Sequence, residues 1–192
     1  MKASIETEFS FDNMLQSGLR SSVSNETELA TAESESSSSF YRNGERDNVS
    51  ISVEQYQNDI KNVITSDDFE DGVLSLSEEY IESIFTDESC EDIKTALMNL
   101  YLGNLSNSHL LTGILRMIGC IPYKKAVPQC PIMALGLLQN KDIYIRDRAI
   151  QVFERWNSKE GIPVLKSLNC DQKWLQRYVD KVILYLEEEG ID

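Results

Sequence analysis

Residues 137–153 read LLQNKDIYIRDRAIQVF. Two leucines close a short helix, Asn140, Lys141 and Asp142 make a polar turn, and Ile145, Ala149, Val152 and Phe153 then recur at helical spacing. A weaker version, LNCDQKWLQRYVDKVI, follows about 30 residues on at 168–183, and another, LLTGILRMIGCI at 110–121, precedes it by about 35. Repetition at that period marks a helical solenoid, in which each unit buries its apolar face against its neighbours. Solenoids usually bind things rather than transform them.

Working outward, the same helical period starts near residue 51. Ser52 with Gln55, and Ser75 with Glu78, have capping-box spacing ahead of apolar helices carrying Val53, Tyr56, Ile60 and Val63, and Tyr80, Ile81, Ile84 and Phe85. Ile93, Ala96, Leu97, Leu100 and Tyr101 share one face, with Gly103 suited to a C-terminal cap. Asn107 or Ser108 starts a helix that turns Leu110, Leu111, Ile114, Leu115 and Ile118 inward. Pro131 fits the first turn of a helix holding Ile132, Leu135 and Leu138 on its inner side. Ser158 caps a short helix with Val164, Leu165 and Leu168, and Leu175, Val179, Val182, Ile183 and Leu186 mark the last. No period-two alternation appears, so the expectation is an all-α domain of about eight helices over 51–192, its acidic part at 51–106 and its repeat part at 107–192. Residues 1–50, with the run ESESSSS at 33–39, are too poor in core-forming side chains to offset their ordering entropy and are expected to be a disordered Ser/Glu-rich tail. Within that tail Phe9, Phe11, Met14, Leu15 and Leu19 form an apolar island, read as a docking motif, as a residual patch without a role, or as one folded back on the domain.

The formal net charge of −14 is unevenly placed. Residues 1–50 carry 4 basic and 9 acidic side chains, 51–108 carry 2 and 13, and 109–192 carry 12 and 10. Such acidity disfavours nucleic acid, whose phosphates need a basic surface, and favours a protein partner with a basic surface of its own. Cysteines 90, 120, 130 and 170 have neither C-x-x-C nor zinc spacing, which predicts reduced thiols in a cytoplasmic protein. The start, MKASIE, lacks the apolar run of a signal peptide, and no apolar stretch has the ~18 residues of a membrane span.

Residues 131–138 and 143–156 resemble a HEAT-like repeat: a short first helix ending in Leu137-Leu138, a turn carrying Asp142, and a second helix opening with the aliphatic–Arg pair Ile145-Arg146 and an Ala one turn later, Ala149. The resemblance spans about residues 110–186 and implies an α-α superhelical fold in which Asp142 and Arg146 tie adjacent repeats together. The following unit departs from it, with Leu175-Gln176 and Val179 in place of Ile145-Arg146 and Ala149, and the preceding unit has Leu110-Leu111.

Superposing the three second helices at offsets of 35 and 30 residues aligns a non-core stripe: Tyr144, Arg148, Gln151 and Arg155 in the middle, His109, Gly113, Arg116 and Cys120 upstream, and Trp174, Tyr178, Lys181 and Tyr185 downstream. Arg and aromatic side chains anchor protein interfaces. The expected partner-binding set is therefore Tyr144, Arg148, Arg155, Trp174, Tyr178, Lys181 and Tyr185, set against the plainer reading that Trp174 and Tyr178 complete the core. The resemblance implies that this face is concave.

Other chemistry is sparse. The stretch DDFEDGVLSLSE at 67–78 has part of a calcium-loop pattern, with Asp67, Asp71, Gly72, Leu74 and Glu78 in place, but Phe69 stands where a ligand oxygen is needed; an acidic loop between helices is the simpler account. His109 is the only histidine and reads as a surface or capping residue, and no phosphate-binding glycine motif is present. The expectation is a non-enzymatic protein-interaction module with neither metal nor cofactor: either an acidic inhibitor or immunity protein masking a basic partner, or an adaptor or regulatory subunit bound through the Arg/aromatic face. A HEAT-like nucleic-acid-processing enzyme, with Trp174 and Tyr178 stacking a base, is the alternative from another class.

Overall fold

A computed structural model describes residues 51–70 and 72–192. The expectations for the tail at 1–50, its apolar island included, and for Asp71 fall outside the described residues. Nine α-helices and one 3-10 turn make up the described chain: α1 Val53–Thr65, α2 Leu76–Ile84, α3 Cys90–Gly103, α4 Ser108–Cys120, α5 Tyr123–Ala126, α6 Gln129–Leu137, α7 Ile143–Trp156, the turn Lys159–Gly161, α8 Ile162–Lys166 and α9 Lys173–Glu189. The helix not anticipated from sequence is the four-residue α5. Among the described residues there is no strand, only an isolated bridge of Ser158 with Ile191, and no helix is long and apolar enough to cross a membrane.

Side chains cap these helices where the sequence offers acceptors. Ser52 accepts from the Gln55 amide at 3.2 Å, Asn107 from Leu110 at 3.1 Å, and Asp142 from Tyr144 at 3.0 Å, each satisfying an amide that a helix start leaves unpaired. Ser75 and Glu78 close a full capping box, with Ser75 N donating to Glu78 Oε2 at 2.9 Å and Glu78 N to Ser75 Oγ at 3.3 Å. At the end of α3 it is Asn104, one residue beyond Gly103, that serves as cap, its side-chain amide donating to Leu100 O at 2.8 Å.

The helices pack as four pairs, α1–α2, α3–α4, α6–α7 and α8–α9. Along one row α1 lies on α3 and α3 on α6; along the other α2 lies on α4, α4 on α7 and α7 on α9. Between the rows runs one apolar core that includes Ile60, Ile81, Ile93, Leu97, Ile114, Ile118, Met133 and Val179. Trp156 of α7 crosses into it and donates its indole N–H to Ile118 O at 3.0 Å, with Tyr123 and Phe153 against its ring.

One register differs from expectation. In α6 the inward residues are Cys130, Met133, Ala134 and Leu137, whereas Ile132 and Leu135 are 55% and 41% exposed; Leu138, just past the helix, is buried as expected. The physical reason is that QCPIMALGL is apolar almost all round, so its period singles out no face and the neighbours α3 and α7 choose one.

Candidate protein-binding face

On α4 most of the stripe is covered: Gly113 and Arg116 are buried and Cys120 is half-buried, while His109 stays exposed. The helical glycine, Gly113, lets the chain leaving α1 lie against it: a Cβ there would meet Ile64 Cγ2 at 2.5 Å and Phe69 Cζ at 2.9 Å. The His109 ring stacks near Phe69, centroids 4.8 Å apart, and its Nε2 bonds Ile64 O at 2.7 Å, so the lone histidine caps the end of α1. Arg116 is buried and over the Phe69 ring, and its guanidinium donates to Val73 O at 2.9 Å and to Glu78 Oε2 at 2.9 and 3.2 Å.

Glu78 is thus a hub. Its Oε2 also takes the Ser75 amide, and its Oε1 pairs with Arg155 of α7. Burial alone would raise this carboxyl, but the Ser75 amide and the two guanidiniums outweigh burial and hold it below its ordinary value. Asp67 is occupied in a similar way: burial raises it, while the Ser77 amide at 2.7 Å and the Phe69 amide at 3.2 Å lower it further. Asp67 and Glu78, the two described carboxylates at ligand positions of the calcium-like pattern, therefore have structural partners, and the loop serves as a strap that joins α2 to α4 and α7.

On α7 and α9 the stripe remains open. Tyr144 is 75% exposed, Trp174 40% and Tyr185 41%; Lys181 and Arg155 are exposed too, while Arg148 and Tyr178 are half-buried. Arg148 donates to Gln151 at 2.8 Å and Gln151 to Asp147 at 2.8 Å, a chain that fixes the guanidinium along α7. Arg116, Arg148, Gln151 and Arg155 surround a cavity of about 10 Å³, about one water in size. The Tyr178 hydroxyl donates to Glu154; burial and that carboxylate push the phenol up, so it stays a donor.

The helices α7 and α9 run parallel, since Arg146 reaches Asp171 ahead of α9 at 2.8 Å, Tyr178 reaches Glu154, and Asn157 reaches Glu189 O at 3.3 Å. Arg155 meets Cys120 at 3.6 Å, 35 residues apart as aligned, while the α7–α9 contacts Arg146–Asp171, Tyr178–Glu154 and Asn157–Glu189 are 25, 24 and 32 residues apart, on either side of the aligned 30. The five-residue α8 and its 3-10 turn stand where the preceding pair has the nine-residue α6. Asp142 caps its own helix, and Arg146 makes the link to the next pair.

Among the described residues every carboxyl with a shifted pKa is lowered, and every shifted thiol or phenol is raised, burial lifting Cys120 to about 11 and Cys130 to about 12. These directions keep carboxylates ionised and thiols protonated near neutrality, away from what acid–base or thiolate chemistry uses. Sequence reasoning missed Glu78 as the ionic hub and Glu154 as the Tyr178 acceptor; the capping-box spacing at Ser75 and the calcium-like pattern both mark Glu78 but neither points to Arg116 or Arg155, and nothing local points to Glu154. Comparison with protein-family models, curated proteins and solved structures returns no match to this chain.

Proposed function

We propose that this protein is a HEAT-like helical-repeat module that binds another protein, without catalysis, through the face shared by α7 and α9. The observation that carries the reading is the group Tyr144, Trp174 and Tyr185, three aromatic side chains at least 40% exposed beside Lys181 and Arg155. Aromatic side chains bury much area for few rotors, and unpartnered ones on a neutral, Lys/Arg-flanked face suit an interface. The two-row order of the helix pairs supports the repeat resemblance, and free, partly buried cysteines fit a cytoplasmic setting.

A second reading concerns charge. Asp68, Glu70, Glu79, Glu82 and Glu88 are exposed on the strap and α2 and just beyond it, which favours a basic partner steered toward that half, as an inhibitor or immunity protein would steer one. The nucleic-acid-processing alternative loses ground because Glu78 neutralises two guanidiniums it would need.

The test is affinity capture by the full chain from its own cells. The triple variant Tyr144→Ala, Trp174→Ala, Tyr185→Ala should weaken partner retention by at least about tenfold with helicity unchanged. A partner kept by that variant and lost on reversing Glu79, Glu82 and Glu88 transfers the function to the acidic half; a partner kept by both variants overturns both readings.

A further inference from the structure

Among the described residues, the pair that opens the two rows leaves an apolar groove uncovered. Val63 of α1 and Tyr80 of α2 are half-buried in it, Leu76 stands 54% exposed beside them, and Asn62, Ser66 and Ser83 complete the walls of a shallow groove of about 570 Å³ that is wide open to solvent. All its lining comes from α1, α2 and their ends. Spacings of three and four put Leu76, Tyr80 and Ser83 on one face of α2, and Asn62, Val63 and Ser66 on one face of α1. Val73 and Leu74, immediately ahead, are 55% and 54% exposed and extend the apolar surface.

Charge narrows the occupant. Residues 51–108 hold 13 acidic side chains and only two basic ones, and Lys94 of that pair is turned inward onto Val127 O at 3.3 Å. Glu79 is exposed on the groove wall and Glu82 beside it. Asp59 faces Tyr80 closely enough that, after burial, it is the next cause holding that phenol up. The nine residues of α2 give the groove a length of about 14 Å, room for about two and a half turns of helix.

We infer that the α1–α2 groove receives an amphipathic helix of a partner protein, its apolar stripe on Val63, Leu76 and Tyr80 and its basic flanks against Asp59, Glu79 and Glu82. The inference rests on the reading that the partner is basic and is independent of the α7–α9 face.

The probe is a labelled peptide of about 18 residues, with Leu at helical spacing on one face and Lys elsewhere, titrated into the full chain by fluorescence anisotropy. Saturable binding is expected, weakening as salt rises. Leu76→Asp and Glu79→Lys, both at exposed positions, should each reduce affinity at least about fivefold, and Trp174→Ala should leave it unchanged. Equal binding of a scrambled peptide of the same composition, or of a Glu-for-Lys version, overturns the groove. A dimer in sedimentation that Leu76→Asp dissolves, without peptide binding, assigns the groove to a second copy and overturns it as well. Binding lost in Trp174→Ala and kept in Leu76→Asp also overturns the groove while leaving the α7–α9 reading intact.

Discussion

Glu78 receives the Ser75 amide and two guanidiniums with almost no exposure to water, so removing its charge strands Arg116 in the interior. Glu78→Ala should cost about 3–5 kcal/mol in chemical denaturation, because an unpaired buried cation loses both solvent and partner. The pH dependence has a definite sign. The folded pKa lies below the ordinary value of 4.5, so the unfolded chain binds this proton more tightly. The stabilisation is complete above about 4.5 and is lost as pH falls through the lower folded value. Acid titration of stability should therefore be steeper in the native chain than in Glu78→Gln; parallel curves would contradict the hub. At Gly113 an added methyl would meet Ile64, itself fully buried, at 2.5 Å. Gly113→Ala should destabilise by about 1–3 kcal/mol, although alanine is the better helix former, since overpacking outweighs propensity here.

At the scale of elements, α6 separates pattern from packing. Ile132→Lys and Leu135→Lys replace exposed side chains and should change stability by no more than about 0.5 kcal/mol, whereas Met133→Ala, fully buried, should cost about 2–5 kcal/mol. Equal costs at all three would restore the face that periodicity suggests. Between α7 and α9, Arg146 pairs with an Asp171 carboxylate that is 66% exposed, which burial does not strengthen; the Arg146 side chain shields it only from one side. Asp171→Ala should therefore lower the melting temperature little, whereas Arg146→Ala also removes the packing of a side chain only 16% exposed and should lower it more. The caps at Ser52, Ser75, Asn107 and Asp142 are legible in sequence because each needs only residues within three positions of itself.

Across the described molecule the pairs share one core, and Trp156 joins the third pair to the second through its indole N–H on Ile118 O while its ring meets Tyr123 of α5. Trp156→Ala should cost about 3–5 kcal/mol and shift a single unfolding transition of residues 51–192; a first transition confined to α7–α9 would mean that the pairs unfold separately. The stripe over α4, α7 and α9 was aligned by periodicity, and the α4–α7 part of that alignment holds at Arg155 and Cys120. What periodicity could not contain is the strap: Gly113 and Arg116 read as surface until the chain from Ile64 to Glu78, some 40 residues away in sequence, is laid over them. By itself the sequence determined helix type, caps, most inward faces and the placement of charge, because these depend on neighbours within a turn or two. Only the tertiary structure decided which carboxylate is buried, which face of the uniformly apolar α6 turns inward and which part of the stripe stays open, because contacts between distant segments set burial, and burial sets the cost of every charge and the use of every apolar face.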